Sequence, residues 1–182
     1  VLVSFSANAA DKALLIGVSN YPGIDDRLPG IDLDLRLMQK TASHLGFAQE
    51  NVKVLHDKVA TAKGIEQAIT GWLVEGVHVD DRILVYFSGH GSGIPDQNDD
   101  EIDGIDEVLL PYDVRESSSG GAATLINVVD DDSFGSWLAQ IPSNNVTVIV
   151  DACHSGTVTR SFGMKKQRLG EKVMYSKSYT YD

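Results

Sequence analysis

The chain's single thiol and one of its imidazoles stand in two short runs, Asp151-Ala-Cys-His-Ser-Gly156 and Tyr86-Phe-Ser-Gly-His-Gly91. A cysteine attacks a carbonyl only as its thiolate, and free cysteine is mostly protonated at neutral pH. Histidine is suited to withdraw that proton and later return it to a leaving amine. Brought together, Cys153 as nucleophile and His90 as base could carry out acyl transfer. The backbone N–H of Gly91, with that of Cys153, could donate to the developing oxyanion; losing one such donor typically costs ~2.7–4 kcal/mol. Gly89 and Gly91 are expected to let the backbone turn sharply around His90 and to leave room for a substrate. His154 is a weaker candidate base, because in extended chain it leaves the backbone on the side opposite Cys153. His44, His56 and His78 lie in segments without evident partners and are read as ordinary surface residues.

Each run follows an apolar stretch that reads as a buried strand, Arg82 to Ser88 and Val146 to Val150. His90 and Cys153 are therefore expected just past the carboxyl ends of two core strands, the edge where open α/β sheets bind ligands. Ala13 to Val18 and Val52 to Leu55 supply two further strands. Asn20-Tyr-Pro-Gly23 has turn chemistry. A helix from about Asp32 to Leu45 places Leu35, Met38, Ala42 and Leu45 on one face, with Gly46 as its stop. The cleanest helical spacing is Ile65, Ala68, Ile69, Trp72 and Leu73, capped by Thr61. Val108 to Leu110 reads as a small extra strand, and Ser117 to Gly121 as a flexible loop. A short helix after Asp130-Asp-Asp132 turns Phe134, Trp137, Leu138 and Ile141 inward. Alternating strands and helices predict an α/β fold, a mostly parallel central sheet covered by helices on both faces.

Composition narrows the function classes. Hydrophobic residues at 42% and charged residues at 23% are those of a globular chain long enough for a sizeable core. One cysteine excludes an internal disulfide and a Cys-x-x-Cys zinc pair. A formal charge of −11 argues against nucleic acid and anionic membrane as general partners. No stretch approaches a membrane span. Asp96 to Glu107 holds seven carboxylates and no base, and Asp130 to Asp132 adds three, which asks for a counter-cation or a cationic substrate. Because the chain opens with Val1, it is expected to be a fragment or a mature form. Val1-Leu-Val-Ser-Phe with Ala7-Asn-Ala9 is faintly similar to the end of a signal peptide; a cytoplasmic location is the expectation and export the alternative.

The two runs, in this order and 63 positions apart, resemble the active-site motifs of caspase-type cysteine peptidases, and most of all those of metacaspases and bacterial orthocaspases. Leu28-Pro-Gly-Ile-Asp-Leu-Asp34, Asp103-Gly-Ile-Asp-Glu-Val108 and Asp131-Asp-Ser-Phe134 extend the similarity over about Lys12 to Gly156. True caspases carry Gln-Ala-Cys-x-Gly instead. The resemblance implies a caspase-like three-layer sandwich and a Cys153–His90 dyad. It implies an N-terminal extension (1–11), a large-subunit catalytic domain (12–156) and an exposed basic tail or linker (157–182) toward a missing small-subunit region, which is either held as a separate chain, supplied elsewhere or lacking in this family member.

The resemblance also implies that Asp151, Asp34 and Ser88 line the pocket for the residue before the cut. Two carboxylates favour a bound cation, and Arg meets them with a planar fork, so peptide substrates cut after Arg or Lys are expected. Calcium held by Asp106, Asp131 and Asp132 is the implied metal, with no organic cofactor. Two positions depart from the pattern: Ile31 stands where the family often has Cys, and Arg160 where it has a further aspartate. An EF-hand starting at Asp99 fails, since its twelfth position is Leu110 rather than Glu. The basic tail suits self-cleavage. A non-catalytic scaffold that keeps the fold is the alternative, and a phosphate site is disfavoured because the glycines lack P-loop spacing.

Overall fold

The structure is a computed structural model that describes residues 10–24, 26–95, 104–117, 124–154, 165–169 and 172–177. In chain order its strands are β1 (Lys12–Gly17), β2 (Asn20–Tyr21), β3 (Asp26–Arg27), β4 (Val52–His56), β5 (Arg82–Pro95), β6 (Ile105–Leu109), β7 (Arg115–Ser117), β8 (Thr124–Ile126), β9 (Val129–Asp130), β10 (Asn145–His154), β11 (Lys165–Leu169) and β12 (Lys172–Lys177). Its helices are α1 (Ile31–His44), α2 (Ala62–Gln67) and α3 (Asp131–Ala139). The sheet runs β11-β12-β10-β5-β1-β4. β12, β10, β5, β1 and β4 are parallel, while β11 is antiparallel at one edge.

Both faces of the sheet are apolar because both are covered. Leu14, Ile16, Ile83, Val85, Phe87, Val146 and Val148 pack against Ile65, Ile69, Leu73, Phe134 and Leu138 of α2, the π-helical turn that follows it, and α3. Ala13, Leu15, Leu84 and Tyr86 pack on the other side against Ile31, Leu35 and Ala42 of α1. The expected three-layer α/β sandwich is therefore observed. Thr61 caps α2 as its type suggests, its side chain accepting from Gly64 N at 3.0 Å.

Several expectations are corrected. The two motif strands do not end before His90 and Cys153. β5 runs on to Pro95, because β6 pairs antiparallel with Gly91 to Pro95 as β1 leaves, and β10 runs on to His154 beside it. Gly89 accordingly lies in extended chain rather than at a sharp turn. Part of the segment read as an unpacked tail is strand. β12 pairs with β10 from Thr147↔Val173 to Asp151↔Lys177, and β11 pairs with β12. Backbone pairing overrides the weak apolar period there. Leu45 is 53% exposed, having passed out of the α1 face at the helix end. Of the predicted loop at 117–121, Ser117 ends β7, and residues 118–121 lie outside the described residues.

Candidate active site

Register brings the two motifs together. In the parallel pair β5/β10, His90 stands opposite Cys153, Ser88 opposite Asp151 and Gly91 opposite His154. Neighbouring parallel strands run about 4.8 Å apart. Successive positions alternate between faces, so of Cys153 and His154 only the first shares a register position with His90. Gly91, proposed from sequence as an oxyanion donor, lies between β10 and β6, opposite His154 and Leu109.

The edge of β5 changes partner at His90. Val18 N donates to Ser88 O at 3.0 Å, continuing the β1 ladder, and Leu110 N donates to His90 O at 3.0 Å, opening the β6 ladder. Between them His90 N donates to the phenol oxygen of Tyr21 at 2.7 Å. The Tyr21 ring also lies against the imidazole, centroids 4.8 Å apart and planes tilted by 47°. His90 is half-buried, with Nε2 shielded from solvent. A Cβ on Gly89 would come within 2.5 Å of the Tyr21 hydroxyl and 3.0 Å of Phe87, so close approach explains this glycine.

Of the residues assigned to the specificity pocket, Ser88 and Asp151 are register partners, and the charges of Asp151 and Asp34 both act on Tyr86. Ser88 is buried two positions after buried Tyr86, on the same face of β5. The Tyr86 hydroxyl is pushed up to about 12, first by burial and then by the charges of Asp151 and Asp34, with a Ser88 hydrogen bond opposing. Asp34 reaches this neighbourhood from α1. Gly17, the last residue of β1, lets that helix settle close, since a Cβ there would come within 2.6 Å of Leu35. Asp32 and Asp34 in the first helical turn also suit the positive end of the helix dipole.

The residues assigned to calcium gather by charge more than by geometry. Burial pushes the Asp131 carboxyl above its ordinary value, against a backbone hydrogen bond, and repulsion from Asp132, Glu107 and Asp106 adds to the rise. Among the described residues, no group of three or more His, Cys, Asp or Glu side chains is arranged to hold a metal ion. The loop at 96–103 and Arg160 lie outside the described residues.

Two residues escaped the sequence reading. Tyr21 reads from the sequence only as part of a turn, and its hydroxyl reaches His90 N from 69 positions away. Tyr86 carried a readable signal, because it shares the two-residue period of Ser88 and His90. The reading of the other histidines is corrected as well. His56 Nε2 lies 3.2 Å from Asp32 and 3.4 Å from Ser19 Oγ, because β4 ends on the same rim as β1. His78 Nδ1 is 3.5 Å from Asp81, and His44 Nδ1 is 2.8 Å from Lys40 O.

A parallel sheet that sets a cysteine and a histidine opposite each other at its rim defines the class as a caspase-type domain. Residues 10–181 match the family described as Caspase domain, Peptidase C14, and the chain belongs to that family. It is 34% identical over 172 residues to Metacaspase-7 of Arabidopsis thaliana, covering 90% of this chain and 38% of the relative. It is 35% identical to Metacaspase-1 of Cryptococcus neoformans (80% and 32% covered) and 37% to Metacaspase-1B of Aspergillus oryzae (80% and 34%). The chain thus spans about a third of these relatives' length. A crystal structure of a Geobacter sulfurreducens protein is similar with TM-score 0.63 and 28% identity, covering 81% of this chain and 52% of that one.

Proposed function

We propose that this chain is the catalytic part of a cysteine endopeptidase that cuts after Arg or Lys. The observation that carries the reading is the paired register Cys153↔His90 and Ser88↔Asp151. It supports a nucleophile and base on adjacent strands, with Ser88 and Asp151 paired two residues earlier.

His90 takes the thiol proton and the Cys153 thiolate attacks the scissile carbonyl carbon, forming a C–S bond. The oxyanion is held by backbone N–H groups, of which those of Cys153 and Gly91 are the candidates. The His90 imidazolium then protonates the amide nitrogen, the C–N bond breaks and the amine leaves. Water deprotonated by His90 hydrolyses the thioester and regenerates the thiol. Asp34 and Asp151, with Ser88, receive the cationic side chain before the cut, and the Tyr86 hydroxyl lies within their field. Self-cleavage at a basic residue belongs to the same proposal. So does a calcium ion near Asp106, Asp131 and Asp132, which would relieve the repulsion raising the Asp131 carboxyl. A small-subunit region supplied as a separate chain would add at β11, the edge strand of the sheet.

The test is hydrolysis of fluorogenic peptides ending in Arg, Lys or Asp by the full-length protein. Arg and Lys reporters should be cleaved and Asp reporters not, with activity falling at least ~10³-fold in Cys153→Ala and His90→Ala. Turnover of the Asp reporter alone would reject the pocket assignment. Unchanged activity in Cys153→Ala would reject the dyad. Intact mass of Cys153→Ala tests self-cleavage, since the same processed ends would rule it out.

A further inference from the structure

We propose that Tyr21 is a positioning residue for the catalytic base, a role that rests on the peptidase reading above. Every backbone N–H in a buried strand needs an acceptor. For β5 the last bond of the β1 type is made at Ser88, and the register with β6 starts at Gly91. The N–H of His90 falls in the gap, and a phenol oxygen from 69 positions earlier in the chain fills it. The backbone N–H of the base is thereby held by a side chain, while its carbonyl accepts from Leu110 N and β10 pairs alongside.

Tyr21 is itself firmly placed. It is 1% exposed and paired with Asp26 in the β2/β3 hairpin, and its carbonyl accepts from Ile24 N at 3.1 Å. Just before it, Ser19 N and Asn20 N donate to Asp57 Oδ1 at 2.7 and 3.1 Å. Gly89, without a side chain, leaves the hydroxyl its seat. The tyrosine acts on the base in two ways. Its hydroxyl sets where the imidazole stands relative to the thiol, and misplacement by about 1 Å can cost ~10²-fold in rate. Its ring lies against the imidazole, and an electron-rich ring face favours a cation, here the imidazolium that must survive until it protonates the leaving amine.

Tyr21→Phe keeps the ring and removes the acceptor; Tyr21→Leu removes both. In the full-length protein, Tyr21→Phe should lower kcat for an Arg reporter by roughly 10- to 100-fold with KM within about twofold. Tyr21→Leu should in addition move the alkaline limb of the pH–rate profile, where the imidazolium that protonates the leaving amine is lost, to lower pH. Melting temperatures of both variants separate these effects from loss of fold. Should Tyr21→Phe not fold, 3-fluorotyrosine placed at position 21 by amber suppression keeps the hydroxyl but weakens it as acceptor, and should lower kcat in the same direction. Unchanged kcat in Tyr21→Phe or the fluorinated protein overturns the proposal, as does a rate loss matched by unfolding with an unmoved pH profile. If the parent neither cleaves nor shows His90-dependent alkylation of Cys153 by iodoacetamide, the peptidase reading falls and this role with it. If the parent does both and the variants match it, only the role of Tyr21 falls.

Discussion

Asp57 sits at φ 49°, a left-handed conformation that few residues other than glycine adopt cheaply. What holds it there is hydrogen bonding: its carboxylate accepts from Ser19 N at 2.7 Å, Ser19 Oγ at 3.0 Å, Asn20 N at 3.1 Å and Asn20 Nδ2 at 2.6 Å. Burial alone would raise its carboxyl, but these bonds favour the charged form more, and the net shift is below the ordinary 3.8. A depressed acid stabilises the fold above 3.8 and loses that contribution as pH falls through its folded value. Asp57→Asn, which tolerates the same backbone, should therefore cost about 2 kcal/mol at neutral pH. The difference from the parent should shrink in acid, as urea unfolding at neutral pH and below 3.8 would show. Since Asp57 anchors the two residues before Tyr21, a fall in activity should accompany the loss. Neither effect was readable from His56-Asp57 as a sequence, because the groups that make this aspartate useful lie 37 and 38 positions away.

The docking of α1 on β1 depends on a missing methyl group. Gly17 faces Leu35 and Ile31 so closely that a Cβ would approach them to 2.6 and 2.8 Å. Overfilling such a contact typically costs ~1–3 kcal/mol, and the element free to yield is the helix. Gly17→Ala should thus displace the N-terminal turn of α1, which carries Asp34. Steady-state kinetics with an Arg reporter should show KM raised about tenfold, the loss of part of a charge-assisted hydrogen bond. kcat should change much less, because the added methyl group meets Leu35 and Ile31 of α1, whereas His90 and Cys153 are held by the pairing of β5 with β10. The helices themselves were legible, since α1, α2 and α3 each announce a buried face and a cap or stop. How closely one of them settles was not, because that depends on a glycine in a different element.

Charge acts on the molecule as a whole. A net −11 concentrates repulsion where acidic elements meet, and β6 meets the start of α3 at Asp106, Glu107, Asp131 and Asp132. Asp131 shows the cost: burial, then its acidic neighbours, lift its carboxyl above 3.8. A raised acid penalises the native state above its folded value, and the penalty vanishes as pH falls through that value toward 3.8. Asp131→Asn should accordingly raise the melting temperature slightly at neutral pH, the gain being small because solvent screens so exposed a carboxylate, with no gain in acid. Millimolar calcium should raise the parent's melting temperature and leave that of an Asp106→Asn/Asp131→Asn protein unchanged. A parent indifferent to calcium would remove the metal from the functional proposal.

The chemical identity of the site was written in the chain. The two motifs, the apolar strands before them and the helices between them are local patterns, and local patterns follow from side-chain type and a period of 2 or 3.6. The extent of the strands was not local. β5 runs on past His90 because β6 supplies a partner there, β10 runs through Cys153 beside β5, and the basic segments 165–169 and 172–177 take on strand structure by pairing with each other and with β10. Only the folded sheet decided that Cys153 stands opposite His90, that Asp34 comes within the field of Tyr86, and that a tyrosine from a turn satisfies the backbone of the base. Pairing register and long-range hydrogen bonds depend on where distant residues end up, and no window of sequence contains that.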